Sequence, residues 1–444
     1  MKAYETELIF SGVTSHAVIV EFGKPWRLVF WARAQYVGCW DLGKDVWFTS
    51  EWVETNSPED LHCYEPIMDK KLKYSKVEIM ESGDARAKVH WHYACNDMRY
   101  RVFHGNTTAD EYYTVYPDGV AVRKVVMWPG NESDHGGNPN FWQMGEFILI
   151  NGKGTTPEQN LQKKEAFTFQ NESGEKISFK WPLPSPLPNG HLPLCAKYPK
   201  IAKWNTYIGR VHVVNRPNPY VIFPRDKRLF PFKPCAHCKG DHPYFGLFQG
   251  KGNTYKHWPV TLDEDFILAT NAGEDVGKVA THSSFLDINY SWRDKSNRLL
   301  SVDTPPRPTS WLFLTGATEE PSSFLIDLAK SWLNPAKIET GFESGPLPWG
   351  MSSGRVLYEG YAYSERAYVF RKYGEDLIEF AMKPQVPVIN PVYIINGWKS
   401  KELKVMWNNE PLSSNRFKSQ LIGDDLILWV NQRVEKPAKI KILS

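Results

Sequence analysis

Short apolar, strand-like runs rich in β-branched and aromatic residues recur along most of the chain, and in places such as 87–94 apolar and polar positions alternate with a two-residue period. Segments 17–22, 27–33, 88–94, 111–116, 120–127, 146–151, 210–214, 311–315, 392–395, 426–430 and 439–443 read as strands. Turn formers separate many of them: Pro117-Asp118-Gly119, Asn151-Gly152, Asn396-Gly397 and Gly423-Asp424. Helical spacing is confined to two places. Thr156-Pro157-Glu158-Gln159 has the form of a capping box with proline at the first helical position. From Ser323 onward, Leu325, Leu328, Ala329 and Trp332 recur at helical intervals until Asn334-Pro335 stops the run. The pattern predicts an all-β fold with two short helices in loops.

Many short strands leave many open edges unless the sheets close. Over 444 residues, radial closure predicts a seven-bladed β-propeller, about 60 residues to each four-stranded blade. No repeat of the WD40 or kelch kind is visible, and a sandwich is the competing architecture. The proline-rich stretch 182–199 is flanked by strand signals on both sides. It reads as an excursion within a single domain spanning 1–444.

Composition adds one unusual feature, its 18 Trp, 21 Tyr and 23 Phe alongside 31 Gly and 32 Pro. Most such rings belong in a core, yet tryptophan is also the side chain best suited to stack on sugar rings, so carbohydrate enters as a substrate class. A net charge of +3 without a Lys/Arg block argues against a nucleic-acid partner. Apolar runs such as Leu312-Phe313-Leu314 are too short to span a bilayer, so no membrane partner is expected. Met1-Lys2-Ala3-Tyr4-Glu5 begins no signal-peptide pattern. Asn106, Asn131, Asn171 and Asn289 head glycosylation sequons, and together these features suggest a secreted protein whose leader is absent from this chain. The six cysteines are irregularly spaced, and a chain this long does not need disulfide staples.

The densest chemistry lies between Arg86 and Arg123. Alternation puts Lys88, His90 and His92 on one face of their strand, and Val89, Trp91 and Tyr93 on the other. The hairpin that follows carries Tyr112, Thr114 and Tyr116 opposite a strand bearing Arg123. Histidine, tyrosine and arginine together offer a base, an acid and a cation for an anionic group. The bland alternative is an ordinary strand with hydrogen-bonded histidines and a salt-bridged Arg123. A second cluster, Cys235-Ala236-His237-Cys238-Lys239-Gly240-Asp241-His242, presents a Cys-x2-Cys bite with His242 as third ligand, suited to structural zinc. His212, Cys195 or His257 could complete the shell. No organic cofactor is expected, because no phosphate-binding glycine loop, nucleophile elbow or H-E-x-x-H motif occurs. Asp110 or Glu111 could serve a glycoside hydrolase.

The run Asp110-Glu111-Tyr112-Tyr113-Thr114-Val115-Tyr116-Pro117-Asp118-Gly119-Val120-Ala121-Val122-Arg123 resembles the central signature of propeller-fold polysaccharide lyases, the ulvan lyases and the L-rhamnose-α-1,4-D-glucuronate lyases. Similar matches are Cys63-Tyr64-Glu65-Pro66-Ile67, Gly154-Thr155-Thr156-Pro157-Glu158-Gln159-Asn160, His257-Trp258-Pro259-Val260, His282-Ser283-Ser284 and Leu328-Ala329-Lys330-Ser331-Trp332. The resemblance implies a seven-bladed propeller, β-elimination at a uronic acid and, in some members, a structural zinc.

Carried onto this chain, the resemblance makes His92 or His62 the base, Tyr112 its partner, and Arg123 the cation that neutralises the uronate carboxylate. Arg210, His257, His282 and Gln143 are the expected substrate contacts, and Cys235, Cys238, His242 and His212 the expected zinc ligands. The expected activity releases rhamnose from rhamnosyl-α-1,4-glucuronate ends, by a monomeric extracellular enzyme. An endo-acting ulvan lyase and a non-catalytic sugar-binding propeller are the rivals.

Overall fold

The computed structural model describes residues 1–56, 63–97, 99–128, 130, 142–181, 200–225, 233–234, 243–244, 254–255, 258, 280–290, 309–340, 355–374 and 377–444. Every segment read from the sequence as a strand is one, with ends shifted by a few residues. The two helices are present as well. The first is a single turn, Pro157–Asn160, whose Thr156 N–H donates to Gln159 Oε1 at 2.9 Å. The second is Ser322–Leu333, which buries Leu325, Leu328, Ala329 and Trp332. The all-β expectation holds.

The strands assemble into broad sheets. One antiparallel sheet of eight strands runs in the order Lys2–Phe10, Val13–Glu21, Arg27–Trp31, Gly38–Asp41, Val46–Thr49, Trp142–Gly152, Ala280–Tyr290 and Thr254–Tyr255. A second, of nine, runs Lys176–Phe179, Phe167–Gln170, Thr206–Val211, Asn218–Pro224, Thr309–Thr318, Val120–Trp128, Thr108–Val115, Ala87–Ala94 and Lys76–Ser82. No closed ring of four-stranded blades is present among the described residues, which departs from the propeller expectation. The reason lies in two long-range pairings. Trp142–Gly152 inserts between Val46–Thr49 and Ala280–Tyr290, and Thr309–Thr318 inserts between Asn218–Pro224 and Val120–Trp128. Each fuses local hairpins into one sheet, where blades would have kept them apart.

The two broad sheets share one apolar core. Phe30 meets Tyr113 edge-on at 5.1 Å, Phe147 meets Phe167 at 5.1 Å, and the Trp40 indole N–H donates to Thr315 Oγ1 at 3.0 Å, each across the gap. Trp31, Trp40, Trp47 and Trp91 are fully buried here, and burying a large apolar side chain contributes roughly 1.5–3 kcal/mol. Aromatic richness is thus mostly core building. Trp128, 45% exposed, is the only largely exposed tryptophan among those whose side chains are described.

A second core lies between residues 336 and 442. It is formed by two five-stranded sheets, one of which contains a parallel pair, Ala367–Tyr373 with Val392–Asn396. The outer face of the nine-stranded sheet is covered in two places. Helix Ser322–Leu333 packs on Val120, Val122, Ile208, Ile222 and Leu314. Ala85 and Tyr116 pack with Val392, Ile427 and Trp429. Polar contacts sew the same seam. Arg366 Nη2 donates to Asp118 Oδ2 at 2.7 Å, Tyr116 donates to the Glu365 carbonyl, and Glu365 accepts from Arg86 and Lys88. The hairpin turn at Gly119, whose φ of +76° suits glycine, is therefore held from outside. A Cβ there would also come within 2.8 Å of the Phe22 ring.

Candidate functional site

Where neither helix nor C-terminal sheets cover it, the outer face of the nine-stranded sheet carries polar residues. Strand Ala87–Ala94 alternates as the sequence predicts, with Lys88, His90 and His92 outward and Val89, Trp91 and Tyr93 in the core. Its neighbour Thr108–Val115 pairs Asp110 with His92 and Tyr112 with His90, so all four side chains lie together on one face. Lys124 stands opposite Tyr112 on the next strand.

Asp110 is the centre of this cluster. Its Oδ1 lies 2.7 Å from His90 Nε2 and 2.8 Å from His92 Nδ1, and its Oδ2 accepts from the Trp128 indole N–H at 2.7 Å. Burial by itself would raise the Asp110 carboxyl, but hydrogen bonds from the two histidines and Trp128 outweigh it and hold the group well below the usual carboxylate range. Tyr112 stacks on His90, ring centroids 4.6 Å apart and nearly parallel at 7°. Burial and the neighbouring Asp110 charge push the Tyr112 phenol up, which keeps it protonated. His92, at 38% exposure, is the most open member of the three-residue cluster, against 22% for His90 and 15% for Asp110.

Arg123 lies elsewhere. It pairs with Tyr113 in register and so points into the core, with a fully buried side chain. Its Nε and Nη2 grip the buried Glu111 carboxylate at 2.6 and 2.7 Å, and its Nη1 donates to the Ser50 carbonyl and hydroxyl. Tyr93 and Tyr113 donate to the same carboxylate, each at 2.9 Å. Burial opposes the guanidinium charge, yet the Glu111 contact more than compensates and keeps Arg123 protonated. Arg123 is a core ion pair with no route to a substrate on the outer face. Glu111 shares its burial, so Asp110 and Glu111 cannot flank one glycosidic bond as a hydrolase pair.

The other expected contacts are scattered. Arg210 is buried and donates to the Thr318 and Glu320 carbonyls at 3.4 and 2.7 Å, anchoring the approach to helix Ser322–Leu333. His282 sits buried in the eight-stranded sheet, its Nδ1 at 2.8 Å from the Trp258 carbonyl, and burial lowers its pKa to about 4. His212 holds Thr168 Oγ1 at 2.9 Å and lies 4.0 Å from the Glu165 carboxylate, with its pKa lowered to about 4, burial being the main cause. Gln143 is on strand Trp142–Gly152, opposite Asn289, and its side chain lies outside the described set. His62, His257, Cys195, Cys235, Cys238 and His242 lie outside the described residues. Cys39 and Cys95 are buried free thiols, and burial pushes both well up.

Sequence reasoning reached His90, His92 and Tyr112. It missed the partnership of Asp110 with both histidines, and it missed Trp128. Pairing Ala87–Ala94 against Thr108–Val115 in its observed register would have exposed the first. Trp128 carries no local signal that separates it from the buried tryptophans.

The chain matches no protein-family model, and a comparison with curated proteins finds no match.

Proposed function

We propose that this protein is a polysaccharide lyase that cleaves a rhamnosyl-α-1,4-glucuronate linkage by β-elimination, releasing rhamnose and leaving an unsaturated uronate. The observation that carries the reading is the partly exposed trio of His92, Asp110 and Tyr112 on one sheet face. Asp110 accepts from His92 Nδ1, which fixes the tautomer whose Nε2 lone pair can take a proton. Similarity of the 110–123 run to the lyase signature supplies the substrate class.

In this reading His92 Nε2 removes the C5 proton of the uronate. The electron pair left at C5 forms the C4–C5 double bond as the C4–O4 bond breaks, and the Tyr112 phenol protonates the departing O4. Lys124, opposite Tyr112 and on the same face, takes the carboxylate-neutralising role in place of Arg123. Each proton transfer by a positioned group contributes roughly 10²–10⁴-fold. The chemistry needs one open sheet face and is independent of seven-bladed closure. A structural zinc on the Cys235, Cys238 and His242 loop is part of the same proposal, as is action outside the cell.

The test is incubation with gum arabic and with ulvan, following ultraviolet absorbance of unsaturated uronate together with free rhamnose. Absorbance rising with rhamnose supports the proposal, and absorbance without rhamnose on ulvan moves it to an endo-acting lyase. Saturated products, or binding without turnover on both, reject it.

A further inference from the structure

We infer that His90, His92 and Asp110 form a binding site for one divalent transition-metal ion of the zinc type. His90 and His92 are two residues apart on a strand, the spacing that sends both imidazoles to one face. The paired strand delivers Asp110 between them. One ligand atom from each of the three residues lies within 4.8 Å of the other two, close enough to converge on a single ion.

The donor set decides the metal class. Two imidazole nitrogens and one carboxylate suit zinc and its neighbours, whereas calcium and magnesium prefer all-oxygen shells. Three protein ligands leave a fourth position for water or an anionic sugar group. Outer contacts already orient the set. The Trp128 indole N–H holds the second Asp110 oxygen at 2.7 Å, and Tyr112 stacks against His90. Such outer contacts are typical of metal sites. All three ligands are partly solvent-accessible, so an ion can enter.

The site stands on this geometry alone. One consequence rests on the lyase reading: a metal on His92 Nδ1 leaves the proton on Nε2, so the filled site has no base. Zinc should therefore inhibit elimination over the same concentration range in which it binds.

The experiment is titration of chelator-treated full-length protein with zinc by calorimetry, and with cobalt by visible absorption. The Cys235→Ser/Cys238→Ser variant separates this site from any metal on the cysteine loop. One equivalent that survives in that variant, with nitrogen and oxygen donors only by X-ray absorption, supports the site. Binding should weaken on the order of 100-fold or more in His90→Ala and Asp110→Asn, and about 10-fold in Trp128→Phe. Equal affinity and stoichiometry in wild type and both ligand variants overturns the site, as does wild-type protein that binds no metal. Should those variants fail to fold by circular dichroism, the wild-type cobalt spectrum decides. Histidine and oxygen ligation supports the site, and purely sulfur-rich ligation overturns it. Binding without inhibition would leave the site intact and count against the lyase reading only.

Discussion

Asp110 and Glu111 are neighbours in the chain that serve opposite faces of one strand. Asp110 faces outward and accepts from His90, His92 and Trp128. Glu111 faces inward and is gripped by Arg123, Tyr93 and Tyr113. The outer face therefore carries a cluster of polar groups on a strand whose inner face is anchored by a buried, hydrogen-bonded ion pair.

That anchoring predicts what happens when Arg123 is removed. Arg123→Leu should cost on the order of 3–5 kcal/mol, because Glu111 is left as an uncompensated buried charge. Arg123→Leu combined with Glu111→Leu should recover much of the loss. Urea unfolding of the two variants checks this, and activity per folded molecule should stay close to wild type.

His92 should behave in the opposite way. Its side chain is partly exposed, so His92→Ala should leave the thermal midpoint within a few degrees of wild type. Turnover should drop on the order of 10²–10⁴-fold if it is the base. Tyr112→Phe should also lose turnover while keeping the ring stack on His90. Initial rates of unsaturated-uronate formation measure both.

The seam at the hairpin turn carries a further prediction. Arg366 is almost wholly buried, and Asp118 accepts from both Arg366 and Asn390. Asp118→Ala should destabilise the protein on the order of 3–5 kcal/mol, since a buried guanidinium loses its counter-charge. Hydrogen exchange should quicken first in the strands on either side of the Gly119 turn.

Stability should also fall in mild acid. Burial holds His212 and His282 neutral in the fold, with pKa lowered to about 4 from an ordinary 6.5. Between those values the unfolded chain takes up protons that the folded one does not. Their stabilising effect is thus fully present above about pH 6.5, is lost as pH falls towards 4, and changes little below that. Each histidine accounts for on the order of 3 kcal/mol of the loss. Urea midpoints across that range should show the decline, and His282→Gln should flatten part of it.

Much of the fold was legible because its signals are local. A two-residue period marks a strand wherever it occurs, and the spacing of Leu325, Leu328, Ala329 and Trp332 marks a helix with one apolar face. The same period by itself put His90 and His92 on one face. Pairing partners are a different matter, because alternation says that a strand has a buried side and not which strand lies beside it. That Thr309–Thr318 joins Val120–Trp128, almost two hundred residues away, follows from packing the whole core, and no local signal could show it. Register was equally hidden. A shift of one residue sends a side chain to the other face, and the observed register sets Arg123 opposite Tyr113, in the core with Glu111, while Asp110 stands opposite His92 on the outer, partly exposed face. The sequence determined which residues could carry chemistry on this strand. Tertiary pairing decided which of them reach solvent together.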